Sequence, residues 1–222
     1  MKVSGCVCLL ALLCVLGCTR STAPPKDLST VRLRVRVGGR TGYIDGTGKL
    51  VINPQFGSAS EFSEGLAVVC VGDCDFGREG QGSHKYGFIN ESGKIVINPQ
   101  FDQVREFAEG LAAFCFGSGC QLTTGEAKWG YMDKSGHFVI GPQYGEVGSF
   151  TEGLALACIG NCSSESGKWG FIDRTGRFAI NPQYDYAAPF KDGFALVEVG
   201  DVKDRKAGYI DKSGKMIWTP SN

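Results

Sequence analysis

The sequence has two histidines, His84 and His137, and no excess of charge, since 23 basic side chains balance 23 acidic ones among 222 residues. Zero net charge argues against a dedicated nucleic-acid binder, whose phosphate partner requires a basic excess. Two histidines leave few candidates for a metal centre or for a hydrolase that activates its nucleophile through imidazole. The apolar run Val3 to Leu16 falls short of the roughly 20 residues that span a bilayer. What the chain has in quantity is glycine, 33 residues and about twice the usual share, and cysteine, 10 residues. With 42 % hydrophobic and 21 % charged residues it is a globular chain with frequent turns. Ten cysteines call for either metal or an oxidising compartment.

The first segment reads as an address. Met1 and Lys2 supply a positive start, the apolar run follows, and Val15-Leu16-Gly17-Cys18 ends it. That ending resembles the lipobox of bacterial lipoproteins, although Leu16 is bulkier than the family usually shows. Val3-Ser4-Gly5-Cys6 fits the four-residue pattern better, but no apolar segment precedes it. The resemblance implies a signal peptide over 1–17, lipidation of Cys18 and anchoring to a membrane, and loss of Cys6, Cys8 and Cys14 with the signal. Thr19 in place of an acidic residue implies the outer membrane in a diderm cell. Residues 18–30, with Ser21, Pro24 and Pro25, have the composition of a flexible tether.

From residue 31 to 220 one unit recurs five times. Tyr43-Ile44-Asp45, Phe88-Ile89-Asn90, Tyr131-Met132-Asp133, Phe171-Ile172-Asp173 and Tyr209-Ile210-Asp211 each follow a glycine, and those glycines lie 45, 43, 40 and 38 residues apart. Gly-basic-apolar, Pro-Gln-aromatic and Glu-Gly-Leu-Ala follow downstream, as at Gly93, Pro99 and Glu109. Lys128-Trp129-Gly130-Tyr131 and Lys168-Trp169-Gly170-Phe171 carry the name-giving motif of the WG, or KWG, repeat family, which the chain therefore resembles. The tryptophan is replaced by Tyr86 in one copy and lost at Thr41 and Ala207. The resemblance implies a structural repeat and brings no catalytic residues.

Read physically, Val31 to Val37 alternates with the period of a half-buried strand, Tyr-Gly-Phe-Ile is rich in strand formers, and Asp-x-Ser/Thr-Gly makes a turn. Asn-Pro stops the next strand, because proline cannot donate to a ladder. The expected fold is all-β: three-stranded antiparallel meanders starting at Val31, Leu66, Leu111, Leu154 and Phe194, stacked as an open twisted β-solenoid. The alternative is a small closed propeller-like ring. One meander buries too little to stand alone, so neighbours must share a core. Phe56, Phe101, Tyr144 and Tyr184, with Phe62, Phe107, Phe150 and Phe190, are the expected contacts between units.

Six cysteines fall as Cys70-Cys74, Cys115-Cys120 and Cys158-Cys162, all in the loop between the first two strands of a unit. Unit five has Glu198 and Val202 there, so both members are missing together, as an obligate pair predicts. They are expected to form three local disulfides; zinc, needing four ligands, is the sharper but poorer reading, and no metal or cofactor is expected. The turn aspartates are explained by turn chemistry. Arg40, Lys85, Lys128, Lys168 and Lys206 recur alongside Glu64, Glu109, Glu152 and Asp192, as ion pairs or as solvated strand ends. Arg32, Arg34 and Arg36 put three charges on one strand face, to bind an anion or to guard a sheet edge. Trp129 and Trp169 are candidates for a sugar or peptide platform, against the plainer reading as core.

Two functions are weighed. The first is a non-catalytic envelope lipoprotein: a repeat scaffold binding an unidentified protein or glycan through variable loops such as Asp75 to Ser83 and Gln121 to Ala127, with no nucleic acid involved. The second is an envelope hydrolase with a site formed by the loops, for which neither histidine has a partnered nucleophile in the pattern.

Overall fold

The computed structural model describes residues 27–72, 74, 84–117, 120, 128–162, 166–201 and 204–219; the signal segment, Cys18 and the first part of the tether lie outside them. Residues 27–30, at the end of the stretch read as tether, are folded. Leu28–Thr30 form a 3-10 turn capped by Asp27, and the Leu28 carbonyl accepts the Gly46 amide at 2.8 Å.

Five antiparallel sheets follow in tandem. Unit one is β1 (Leu33–Val37), β2 (Arg40–Ile44) and β3 (Leu50–Phe56). Unit two is β4 (Ser58–Ala59), β5 (Leu66–Val71), β6 (Lys85–Asn90) and β7 (Ile95–Phe101), and unit three is β8 (Gln103–Val104), β9 (Leu111–Phe116), β10 (Lys128–Asp133) and β11 (Phe138–Tyr144). Unit four is β12 (Glu146–Val147), β13 (Ala155–Ile159), β14 (Lys168–Ile172) and β15 (Phe178–Tyr184). Unit five is β16 (Tyr186–Ala187), β17 (Phe194–Val199), β18 (Lys206–Asp211) and β19 (Met216–Trp218). Strands pair in chain order within each sheet, and the four core clusters join only consecutive sheets, none of them joining the last sheet to the first, so the array is open.

The meander is therefore right, but units two to five carry a fourth strand. It has two residues and pairs with the far end of the first long strand, as in Ser58↔Cys70 and Ala59↔Val69. One residue after the aromatic of Pro-Gln-aromatic, the chain has already joined the next sheet. Two residues are too few to display an alternation, which is why the sequence hides this strand.

The glycine of the repeat has a packing reason. A Cβ on Gly87 would stand 2.5 Å from the Ile97 carbonyl oxygen and 2.6 Å from the Pro99 nitrogen; at Gly42, Gly130 and Gly170 the carbonyl clash is 2.4 to 2.5 Å. At this point the second and third long strands lose register, between Tyr86 and Phe88 or between Trp129 and Tyr131, and the bulged Asn98-Pro99 or Gly141-Pro142 backbone crosses directly over the glycine. The strand expected to stop at Asn-Pro instead absorbs the proline in this bulge and runs on to Phe101 or Tyr144. The next turn is closed by its acid or amide: Asp45 Oδ1 accepts the Thr47 amide at 2.9 Å and the Lys49 amide at 3.1 Å, and Asn90, Asp133, Asp173 and Asp211 repeat the pattern. Those hydrogen bonds, the Ser or Thr hydroxyl foremost, hold Asp133, Asp173 and Asp211 below the usual carboxylate range.

The core lies between sheets. An aromatic pair recurs at the same place in every junction, Tyr43 with Phe62, Phe88 with Phe107, Tyr131 with Phe150 and Phe171 with Phe190, at centroid separations of 4.7 to 4.9 Å. Around each pair, one unit contributes an outgoing face and the next an incoming one. At the first junction Tyr43, Ile52 and Phe56 meet Ala67, Val69 and Ile89; at the third, Tyr131, Ile140 and Tyr144 meet Ala155, Ala157 and Ile172. Where the first member is tyrosine its hydroxyl donates to the next unit, Tyr43 to the Ser60 carbonyl at 2.7 Å and Tyr131 to that of Gly148 at 2.6 Å. Burial pushes both phenols well above their ordinary range.

Candidate functional site

The loops between the first and second long strands leave every unit from one end of its sheet, and the structure pins their bases. Cys70-Cys74, Cys115-Cys120 and Cys158-Cys162 are bonded, closing the loops of units two, three and four as expected. The loop sequences Asp75 to Ser83 and Gln121 to Ala127 lie outside the described residues.

Beneath these loops sits a feature that sequence reasoning missed, the residue joining one unit to the next. It is Gly57, Asp102, Gly145 and Asp185 in turn. A Cβ at Gly57 would lie 2.7 Å from Cys74 Sγ, and one at Gly145 would lie 2.7 Å from Cys162 Sγ, so these glycines make room for the disulfides spanning four residues. At the other two junctions the aspartate takes that space. Asp102 Oδ2 accepts the Gly117 amide at 2.7 Å while Oδ1 meets Lys85 Nζ at 2.5 Å. Asp185 does the same with the Gly200 amide and Lys168. Burial opposes the ionisation of Asp102, but Lys85 and the amide outweigh it and hold the carboxyl low; at Asp185 the Lys168 contact leads, followed by the Gly200 amide. The signal was present in the sequence as Gly and Asp alternating after Pro-Gln-aromatic, with Tyr and Phe alternating in phase at 43, 88, 131 and 171.

The recurring acids have partners other than those read from the sequence. Glu64 accepts the Gly110 amide at 3.0 Å and meets Lys134 at 3.1 Å. Glu109 accepts the Gly153 amide at 3.0 Å and faces Arg174 at 3.8 Å; Glu152 accepts the Gly193 amide at 3.1 Å and meets Lys212 at 3.0 Å. Each acid reaches the following unit, whereas Lys85 and Lys168 go to Asp102 and Asp185. Glu64, Glu109, Glu152 and Asp192 all have positive φ, 52° to 54°, with a positive-φ glycine next, which makes each a two-residue hairpin turn of the primed type. A non-glycine residue in that region is strained, and at the first three sites the carboxylate's bond across the junction is the compensating contact.

Trp129 is buried, with the Arg105 guanidinium 5.2 Å from its ring centre and Glu146 3.5 Å from that cation. Trp169 is half-buried against the cluster between units four and five. Arg32 lies just before β1 and donates to the Glu91 carbonyl of unit two at 3.0 Å; Arg34 donates to the Ala59 carbonyl at 2.8 Å and stands 3.4 Å from Glu61. Those two cations tie unit one to unit two, while Arg36 lies on the exposed β1. His137 Nδ1 lies 2.8 Å from Ser135 Oγ and 3.7 Å from Asp133 Oδ2, so hydroxyl and carboxylate meet the same ring nitrogen on a side chain 85 % exposed. The Ser135–Asp133 bond is the ordinary turn contact, repeated at Thr175–Asp173 and Ser213–Asp211 where no histidine is present.

Fold and junctions define an all-β tandem-repeat protein whose sheets share cores between units. The chain belongs to the family of the WG containing repeat, whose model matches residues 42–73, 86–120, 129–161 and 169–202. Sheet one's first strand falls before the first match and β18 to β19 after the last. A search of curated proteins finds no match. Among solved structures, the chain is similar to one described as the crystal structure of the eukaryotic initiation factor, at 10 % identity and a TM-score of 0.47 over 84 % of this chain and 61 % of that one. It is also similar to prolyl oligopeptidase B from Galerina marginata bound to a macrocyclization substrate, at 11 % identity and a TM-score of 0.44 over 70 % of this chain and 26 % of that one. The chain thus spans less than two thirds of either protein. Among the described residues no helix is long and apolar enough to cross a membrane.

Proposed function

We propose that this WG-repeat protein is a non-catalytic lipoprotein of the bacterial envelope, held by lipid on Cys18, whose array is a rigid scaffold presenting its loops to a protein or glycan. One observation carries the reading. The frame repeats closely from unit to unit while the loops of units two to five differ in length and sequence, and each base is clamped, three by a disulfide and the fifth by Asp185 on the Gly200 amide. Variable loops fixed on an invariant support are the usual place of recognition, because clamping lowers the ordering entropy lost on binding. Disulfides of this kind persist in an oxidising compartment, in keeping with export past the inner membrane. The outer membrane is the proposed destination in a diderm cell.

The test places a photo-crosslinking side chain at Thr123 in the unit-three loop and, separately, at Ser213 in the unit-five turn at the opposite end of its sheet, in cells fed labelled palmitate. The expected result is palmitate on the chain but not on its Cys18→Ala variant, and a reproducible adduct from Thr123 that Ser213 does not give. Equal adducts from both sites, or none, would sink the loop-binding reading; label surviving Cys18→Ala would sink the anchor.

A further inference from the structure

Unit five ends the described array without a cap. Its outgoing face carries Phe194 at 45 %, Tyr209 at 44 % and Trp218 at 53 % exposure. Strand register equates these with Leu111, Tyr131 and Ile140 of unit three, which are 4 %, 0 % and 2 % exposed beneath unit four. Asp192 likewise keeps the left-handed φ of 54° that Glu64, Glu109 and Glu152 adopt to engage a following unit. Unit five therefore presents the outgoing half of a junction: apolar floor, aromatic at the centre, and strained acid. A terminal repeat that ends an array in solvent has a polar outer face instead.

The opposite end of the described array presents an incoming face. Leu33 pairs with Ile44 as Ala67 pairs with Ile89, so Leu33 stands where Ala67 packs on unit one, yet Leu33 is exposed, as are Leu28, Val37 and Leu50. The four internal junctions all join an outgoing face to an incoming one, which sets the pattern for what fits each end.

We propose that the outgoing face of unit five seats the incoming face of unit one of a second copy of this chain, so that copies stack head to tail and continue the array. The contact is heterologous: the two patches differ, and one copy leaves a free patch of each kind. It is independent of the loops and of any ligand they hold.

The test uses the full chain in non-ionic detergent, with Trp218→Asp and Leu33→Asp variants, both at exposed positions where the fold tolerates charge and where circular dichroism checks that it does. Sedimentation is followed from about 1 to about 100 µM, where moderate interfaces populate. The wild type should grow beyond a dimer with concentration, and each variant alone should lose association at least about tenfold, as for a central interface residue. Mixed together, the two variants should form a one-to-one dimer and nothing larger, since each retains the patch the other lacks. A wild type that stays monomeric would overturn the proposal, as would Leu33→Asp that still dimerises by itself, or a mixture that fails to pair.

Discussion

Replacing Gly130 by alanine tests whether the repeat's signature glycine is there for close backbone approach. The new methyl carbon would stand 2.4 Å from the Ile140 carbonyl oxygen, 2.9 Å from the Gly141 carbonyl carbon and 2.9 Å from the Pro142 nitrogen. Carbon and oxygen settle at about 3.3 Å or more, so β10 and β11 must separate by most of an ångström at the bulge. No flexible side chain is available to yield, because all three atoms are backbone. Overpacking costs about 1–3 kcal/mol, and a rigid neighbour puts this case at the upper end, about 3 kcal/mol. For a chain of this size that lowers the melting temperature by about 6–12 °C. Gly141, eleven residues on in the same hairpin, is the control: nothing lies within 4 Å of its added Cβ and its φ is not in the left-handed region. Gly141→Ala should raise stability by about 0.4–1 kcal/mol by restricting the unfolded chain. Both variants are followed by thermal circular dichroism with disulfides intact, and by hydrogen exchange at the β10 amides to catch local opening in a repeat array. Equal melting temperatures, or a Gly130→Ala variant within about 2 °C of wild type, would refute the reasoning.

Acid should weaken the array through its paired carboxylates. Asp102, Asp185, Glu64 and Glu152 have pKa values lowered by their partners, so their stabilisation is complete above the unfolded range near pH 4 and is lost as pH falls through the lower folded values. The urea midpoint should fall between about pH 4 and pH 2, and a flat profile there would contradict a stabilising role for these paired carboxylates. Phe107→Ala removes one member of the ring pair with Phe88 and should cost about 3–5 kcal/mol by chemical denaturation; a loss below about 1 kcal/mol would mean that the junction collapses around the gap. Cys70→Ala with Cys74→Ala should cost about 2 kcal/mol by loop entropy. In that background Gly57→Asp should be tolerated, with Arg40 placed where Lys85 meets Asp102, whereas in the wild type it meets Cys74 Sγ and should destabilise. An equal cost in both backgrounds, read from melting curves, would refute the exchange.

Much of the fold was legible because its punctuation is local. Asp45-Gly46-Thr47-Gly48 closes its own turn and Cys70 lies four residues from Cys74, so each signal needs only neighbouring residues, whereas Asn98-Pro99, read as a stop, only bulges its strand, because Phe101 beyond it still pairs with Tyr86. The eight aromatics expected between units were legible from recurrence alone, but their partners Tyr43, Phe88, Tyr131 and Phe171 were not. The acids show why. Glu64 recurs near Lys85 in sequence, yet its carboxylate lies against Lys134, 70 residues away, because stacking brings the turn of one sheet beside the hairpin of the one before. Such adjacency is set by the stacking of units and leaves no mark in a single repeat. For Trp129 a recurring position pointed to core packing, while its Arg105 neighbour directly follows the short β8, whose pairing the pattern did not disclose.

The alternation of Gly57, Asp102, Gly145 and Asp185 predicts that the removable piece of this protein is two units long. A junction works only when its linking residue and the loop that follows are of matching kind, glycine before a four-residue cysteine loop and aspartate before a capped one. Excising residues 58–145 would join Gly57 to the unit that carries Cys158-Cys162, a matched seam, and the shortened chain should fold. Excising 103–145 alone would set Asp102 against Cys162 and should not, although it removes half as much. An array of this kind lengthens or shortens by pairs, in the way a zipper with two tooth shapes can be cut only at every second tooth.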